Sequence, residues 1–254
     1  MKRQLISLFC AGFALLGSNQ TLADNSYKIG ISDSFQPFNY RDAQGQLKGF
    51  NVDVANALCT EMKAKCEFVV MRFPQIIPAL ENNEVQFAPA NFLITAERAK
   101  KINFSAKYYR STTSLIGSAD KAHLDPEQVL KDMNNKVGTQ KGSAQNRYLV
   151  EHAHTQVIEL SSIGEGLSKL NKQEIDYLIA PTLFALNFLQ RPENSRMDFI
   201  GEPINNPTLS GTVHIGITKQ QPELQQEIDS ALAALVKQGK LRQIINQYFP
   251  FNVY

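Results

Sequence analysis

The sequence predicts an α/β fold with largely parallel sheets, and three observations carry that expectation. Stretches with strand-like alternation and stretches with helix-like spacing succeed one another along most of the chain, which is the pattern of α/β layering. At 254 residues, with 43% hydrophobic and 20% charged residues, the chain has the composition of a soluble globular protein and can bury a large core. No repeat, low-complexity tract or long linker interrupts it, so compact lobes are expected.

The elements follow in order. Residues 27–31 alternate like a strand. Pro37 and the stretch 42–45 mark turns before Leu47-Lys48-Gly49-Phe50. Val52, Ala55, Leu58 and Met62 share one helical face, and 66–71 returns as a short apolar strand. A helix over 76–81, a strand over 85–89 and a helix opening near Thr95 come next. Strands over 136–139, 157–160, 175–180 and 213–218 alternate with helices over 144–152, 164–171 and 182–189. The stretch 223–249 holds two amphipathic helices.

The first residues read as an export signal. Lys2 and Arg3 precede an apolar run over 5–16, and Thr21-Leu22-Ala23 suits cleavage after Ala23. A run of about twelve apolar residues is too short to span the roughly 30 Å of a bilayer core. Leu8-Phe9 before Cys10 fits a lipoprotein site poorly. Residues 1–23 are therefore expected to be a signal peptide and the destination a periplasm. Cleavage removes two basic residues and no acid, so 26 minus 2 basic residues face 24 acidic ones and the net charge becomes zero. No basic stripe remains, and no nucleic-acid partner is expected. Cleavage also removes Cys10 and leaves Cys59 and Cys66, an even pair that reads as a disulfide in an exported chain. His152 and His154, two apart, point to different sides of a helix and read as a solvated helix end. No metal and no cofactor is expected.

Several short motifs follow one another in a fixed order. They are Ile29-Gly30-Ile31-Ser32 with Phe35, Pro37 and Phe38, then Gly49-Phe50-Asn51-Val52-Asp53-Val54, then Ile77-Pro78-Ala79-Leu80. Ile94-Thr95 with Glu97-Arg98 and Phe104-Ser105 with Tyr108-Tyr109 complete the set. Their order and spacing resemble the bacterial extracellular solute-binding proteins of family 3 over essentially the whole chain after residue 23. The cysteine pair and the ending Tyr248-Phe249-x-Phe251-Asn252-Val253-Tyr254 resemble the lysine/arginine/ornithine- and arginine-binding periplasmic proteins in particular. The resemblance implies a two-lobed type II periplasmic-binding-protein fold, two sheets with flanking helices joined by two hinge strands. Lobe 1 would hold 24–111 and 212–254, and lobe 2 would hold 112–211. A small-molecule ligand, an amino acid or related carboxylate, would bind between them and drive closure, which an inner-membrane ABC permease reads. A monomer is expected.

The resemblance also assigns the pocket. Arg98 matches the arginine that grips the ligand's α-carboxylate, and a planar guanidinium suits that task. Gly142-Ser143-Ala144 matches a loop that closes on the same carboxylate through backbone N–H groups at a helix start. Phe35 and Phe73 match positions that sandwich the ligand's side chain. Ser32 stands where some relatives carry an acid for a distal amine and arginine-type relatives carry Ser. The departures concern the α-ammonium. Pro181 occupies the place of the family's Asp and brings neither a carboxylate nor an N–H. Nearby family serines become Ala90 and Leu93, with Asn91 between them. Either another acid, such as Asp33 or Glu165, replaces the partner, or the ligand has no free α-ammonium.

The expected function is the periplasmic component of an ABC importer for a polar or basic, arginine-like amino acid or a derivative. A binding protein for an N-substituted amino acid or organic acid is the alternative. Some relatives of this fold are cyclohexadienyl dehydratases, whose chemistry needs a positioned acid in the cleft. The matched pocket positions hold no acid, and an enzyme is not expected. A soluble sensor that presents ligand to a membrane receptor would need a partner chain.

Overall fold

Two five-stranded sheets organise the protein, as described for residues 25–254 in a computed structural model. The expected signal segment, 1–23, lies outside the described residues. The chain begins with β1 (Ser26–Ile31), then the short strands β2 (Ser34–Phe35), β3 (Asn39–Arg41) and β4 (Leu47–Lys48). Helix α1 (Phe50–Glu61), β5 (Lys65–Val70), α2 (Phe73–Glu81), β6 (Phe87–Phe92) and α3 (Ala96–Lys101) follow. Strand β7 (Asn103–Ser111) runs across a single residue into β8 (Thr113–Ser118). The middle of the chain forms α4 (Pro126–Lys131), β9 (Lys136–Gln140), α5 (Ala144–His152), β10 (Gln156–Leu160) and α6 (Ile163–Asn171). It continues through β11 (Tyr177–Pro181), α7 (Thr182–Leu189) and β12 (Met197–Ile200). Strand β13 (Gly211–Ile217) and helices α8 (Pro222–Lys237) and α9 (Lys240–Tyr248) close it.

The first sheet has the order β5-β1-β6-β13-β7 and the second β10-β9-β11-β8-β12. Both are mixed, which corrects the expectation of largely parallel sheets. In each sheet one strand opposes its two neighbours: β13 in the first and β8 in the second. These are the strands by which the chain enters each sheet from the other. No crossover helix precedes them to restore the parallel sense, so they arrive reversed.

Packing explains the rest. In α1, Val54, Ala55 and Leu58 are fully buried and, with Ile228, Leu232 and Ile245 of α8 and α9, cover one face of the first sheet. Ile76 and Leu80 of α2 cover the other face against Ala88 and Phe92. The second sheet buries Leu178 under α6 and α7, and Val137, Tyr177 and Ile179 under α4 and α5. Gly49 starts α1 at φ 124, and a Cβ there would collide with the Phe38 carbonyl oxygen. That close approach lets Pro37 and Phe38 offer their carbonyls to the N–H groups of Phe50 and Asn51 at 3.0 and 2.8 Å. The expected turn over 42–45 is there, inside a three-stranded flap of β2, β3 and β4. The predicted elements over 144–152 and 182–189 match α5 and α7, whereas β7, β8, α4 and β12 carry no clear period.

Cys59 and Cys66 form a disulfide with Cα atoms 6.3 Å apart, tying α1 to β5. A loop this short stabilises by about 2 kcal/mol through chain entropy. A Cys59→Ser, Cys66→Ser double variant should therefore fold normally and lose about 2 kcal/mol of unfolding free energy, read from the urea midpoint at unchanged m-value.

Candidate ligand-binding site

A cleft between the two sheets encloses about 680 Å³ of space, counting the part open to solvent. Ser32, Phe35, Phe73, Ala90, Asn91, Arg98, Ser143, Ala144 and Pro181, the residues singled out from sequence, all border it. They come from both lobes: the residue after β1, the flap strand β2, β6 and the starts of α2 and α3 on one side, the start of α5 and the end of β11 on the other.

Arg98 is the electrostatic centre. Thr95 caps α3 by accepting the Arg98 backbone N–H at 3.2 Å, which fixes where the side chain starts. The guanidinium lies 5.1 Å from the Phe92 ring centroid. It donates to the Leu93 carbonyl at 2.9 Å and, across the cleft, to the Gly142 carbonyl at 3.1 Å. Only 6% of the residue is exposed. Among the described residues no carboxylate pairs with it, and burial alone pulls it down to about 10. It is therefore a protonated, desolvated cation held by neutral carbonyls, an arrangement that favours an anion beside it.

The α5 start supplies further donors, though not those expected. The Gly142 N–H already donates to Asn146 Oδ1 at 3.3 Å and the Ser143 N–H to the Gln140 carbonyl at 3.1 Å. The Ser143 hydroxyl accepts the Asn146 N–H at 3.0 Å and so acts as the helix cap. The open backbone donors are those of Ala144 and Gln145, which have no acceptor among the described residues and stand at the cleft wall.

A buried polar chain sets the opposite wall. Asn39 Nδ2 donates to Ser32 Oγ at 2.8 Å, and Asn51 Nδ2 donates to Asn39 Oδ1 at 2.8 Å. The Tyr108 hydroxyl lies 3.0 Å from Asn51 Oδ1 and 2.9 Å from Asn91 Oδ1 and shares its single proton between them. With its oxygen so engaged, Asn91 has a buried Nδ2 without an acceptor, and the Tyr109 hydroxyl on the same wall is likewise unpartnered. Asn91 sits at φ 59, a left-handed conformation that Asn tolerates better than most residues. Burial raises the pKa of Tyr108 and Tyr109, so both hydroxyls are neutral. Asn39, Gln140 and Gln145 border the cleft without having been singled out, because isolated amides carry no pattern in sequence.

The aromatic residues differ from the expected clamp. Phe35 stacks on Phe38 and, across the cleft, on Phe184, each at 4.9 Å and within 17° of parallel. Its ring is committed to protein partners and is 9% exposed. Phe73 tilts against Phe92 at 5.7 Å. Neither candidate replacement acid lines the pocket around Arg98, although Asp33 lines an adjoining pocket that shares Ser32, Phe73 and Gln140 with it. Asp33 pairs with Arg41 at 2.8 Å, and Glu165 accepts the Ser161 N–H and hydroxyl at 2.9 and 2.8 Å. Both therefore serve their own loops.

Two lobes, two chain crossings and a cleft that ends on a buried arginine define a solute-binding protein of the type II periplasmic-binding-protein class. Residues 27–251 match the model of the bacterial extracellular solute-binding proteins, family 3, and the chain belongs to that family. It is 30% identical over 257 residues to the L-arginine-binding protein of Pseudomonas aeruginosa, covering 99% of this chain and 98% of that one. It is 27% identical over 261 residues to the lysine/arginine/ornithine-binding periplasmic protein of Escherichia coli K12, covering 100% and 99%. A solved structure of an ancestral arginine-binding protein bound to arginine superposes with a TM-score of 0.81 at 26% identity, covering 89% of this chain and 98% of that one. Among the described residues no helix is long and apolar enough to cross a membrane.

The polar chain makes a stability prediction. Tyr108→Phe removes one hydroxyl and leaves two buried amide oxygens short of a donor, so it should cost about 1–3 kcal/mol in a denaturant titration. Tyr109→Phe, whose hydroxyl has no partner to lose, should be near neutral in the same assay.

Proposed function

We propose that this chain is the periplasmic solute-binding component of an ABC importer for a carboxylate of the amino-acid type, a polar or basic amino acid or a derivative of one. The observation that carries the reading is Arg98, a buried guanidinium without an acid partner at the wall of the interlobe cleft. The names of the relatives, arginine-, lysine- and ornithine-binding periplasmic proteins, agree with a carboxylate-bearing cargo. Residues 1–23 act as the export signal. Lobe 1 takes 24–111 and 212–254, lobe 2 takes 112–211, and a monomer delivers its ligand to an inner-membrane permease.

Within this reading Arg98 holds the carboxylate, with the Ala144 and Gln145 N–H groups completing its shell. Ser32 and Asn91 present polar atoms, Phe35, Phe73, Ala90 and Pro181 present apolar surface, and Ser143 holds the α5 start in position. Several contacts bridge the cleft: Arg98 to Gly142, Phe35 to Phe184, Arg191 to Gln36 at 2.7 Å, and the Arg147–Glu97 ion pair. A ligand that joins Arg98 to the α5 start would strengthen closure by binding both lobes at once. A dehydratase-like elimination needs a positioned acid, and the residues that border the pocket around Arg98 include none, which favours a binding role over an enzymatic one.

Calorimetry on the chain after residue 23, against free carboxylates and their carboxamides, tests the reading. Arg98→Met should lower affinity for a bound carboxylate by roughly 100-fold or more, the loss of two charge-assisted hydrogen bonds. The carboxamides should fail to bind the wild type. Carboxamide binding, or affinity unchanged in Arg98→Met, would overturn it. Phe184→Ala, which removes an interlobe stack outside the ligand shell, should weaken binding by about 3- to 10-fold.

A further inference from the structure

The cleft's charge count names more of the ligand than its carboxylate. This step rests on the proposal that the cleft is the solute site. Among the described residues that line the pocket around Arg98, Arg98 is charged and none is an Asp or Glu, and Asp33 in the adjoining pocket is already paired with Arg41 at 2.8 Å. A neutral α-amino acid would bring an ammonium with no acid to face it. A basic amino acid would bring two cations to a wall that already holds one. Desolvating an unpaired ammonium in such a place is strongly unfavourable.

The unpartnered polar groups point the same way. Asn91 Nδ2 and the Ala144 and Gln145 N–H groups are donors, and the Tyr109 hydroxyl has a proton to give. An ammonium is itself donor-only and would find only the Tyr109 oxygen as an acceptor among them, whereas a carboxylate and a second carbonyl are met by the whole set. Pro181 and Ala90, on either side of the cleft, offer hydrocarbon where a counter-charge would otherwise stand. The Phe35 ring, engaged by Phe38 and Phe184, is not an open platform for a guanidinium.

We infer that the ligand is a monoanionic carboxylate with no free ammonium or guanidinium, of the N-acylated amino acid class, whose acyl carbonyl accepts from Asn91 Nδ2. Its single negative charge meets Arg98 and brings the cleft to neutrality. The amide nitrogen carries no charge to compensate, and the acyl group lies against Pro181 and Ala90.

Isothermal titration of the wild-type chain after residue 23 decides this with matched probes: L-glutamine, L-arginine and L-leucine, each against its Nα-acetyl form. Nα-acetyl-L-glutamine or Nα-acetyl-L-leucine should bind about tenfold or more tighter than its parent, Arg98→Met should reduce that binding by roughly 100-fold, and Nα-acetyl-L-arginine, which keeps its guanidinium, should bind more weakly than either. Pro181→Asp should lower the acetyl form's affinity by about tenfold and raise that of the parent, because it puts an acid in the cleft. Asp is a favoured residue at the start of a helix, so this variant should fold, and the wild-type comparison decides the inference without it. A parent amino acid that binds as well as or better than its acetyl form, and is lost in Arg98→Met, overturns the inference and leaves the proposed function standing. Failure of all six probes overturns both, as does tight binding that Arg98→Met leaves unchanged.

Discussion

A guanidinium buried without a carboxylate is an unusual object in a soluble protein, and the architecture around Arg98 is arranged to hold it. Desolvation opposes its charge, and only neutral groups offset that: the Leu93 and Gly142 carbonyls and the Phe92 ring. The Thr95 cap fixes the base of the side chain, β6 ends on Phe92, and Leu93 follows it directly. One of the two carbonyls belongs to the other lobe. The same cation ties the two lobes together and, in the proposed function, is the anion site as well. An anion that meets both Arg98 and the α5 start couples binding to closure without any further device.

The second constraint is the polar chain from Ser32 through Asn39, Asn51 and Tyr108 to Asn91. Its interior members are fully buried or nearly so, and each satisfies its neighbour. Such a chain is costly to break and rigid once complete. It orients the two polar residues it ends on, and leaves Asn91 with a donor that has no acceptor in the protein. The wall of the cleft is thus defined by hydrogen bonds as much as by shape, on elements that are otherwise apolar core.

The fold was legible wherever a helix or strand had one clear buried face, as in β1, α5, α7 and α8. It was not legible in β7 and β8, where the chain runs between sheets and burial follows no period of two. The reversed sense of β8 and β13 is set by where the chain crosses, a non-local fact that no local window contains. Within the cleft, Arg98 and Ser143 could be placed from the motifs around them, and their surroundings could not. Phe35 was readable as an aromatic near a ligand, but its stack on Phe184 joins residues 149 positions apart. The absence of an acid was half legible, since Pro181 stood out in sequence. That Asp33 and Glu165 are engaged by Arg41 and Ser161, outside the lining of the pocket around Arg98, required the folded chain.

These features converge on one claim: the anion this protein binds completes an electrostatic pairing that the chain leaves open at Arg98. A crystal structure of the protein with the ligand it carries from its own host tests that claim most directly. The expected result is a ligand carboxylate with its oxygens about 2.7–3.1 Å from the Arg98 guanidinium and within reach of the Ala144 and Gln145 N–H groups. A ligand whose carboxylate lies elsewhere, or a neutral group against Arg98, would contradict it.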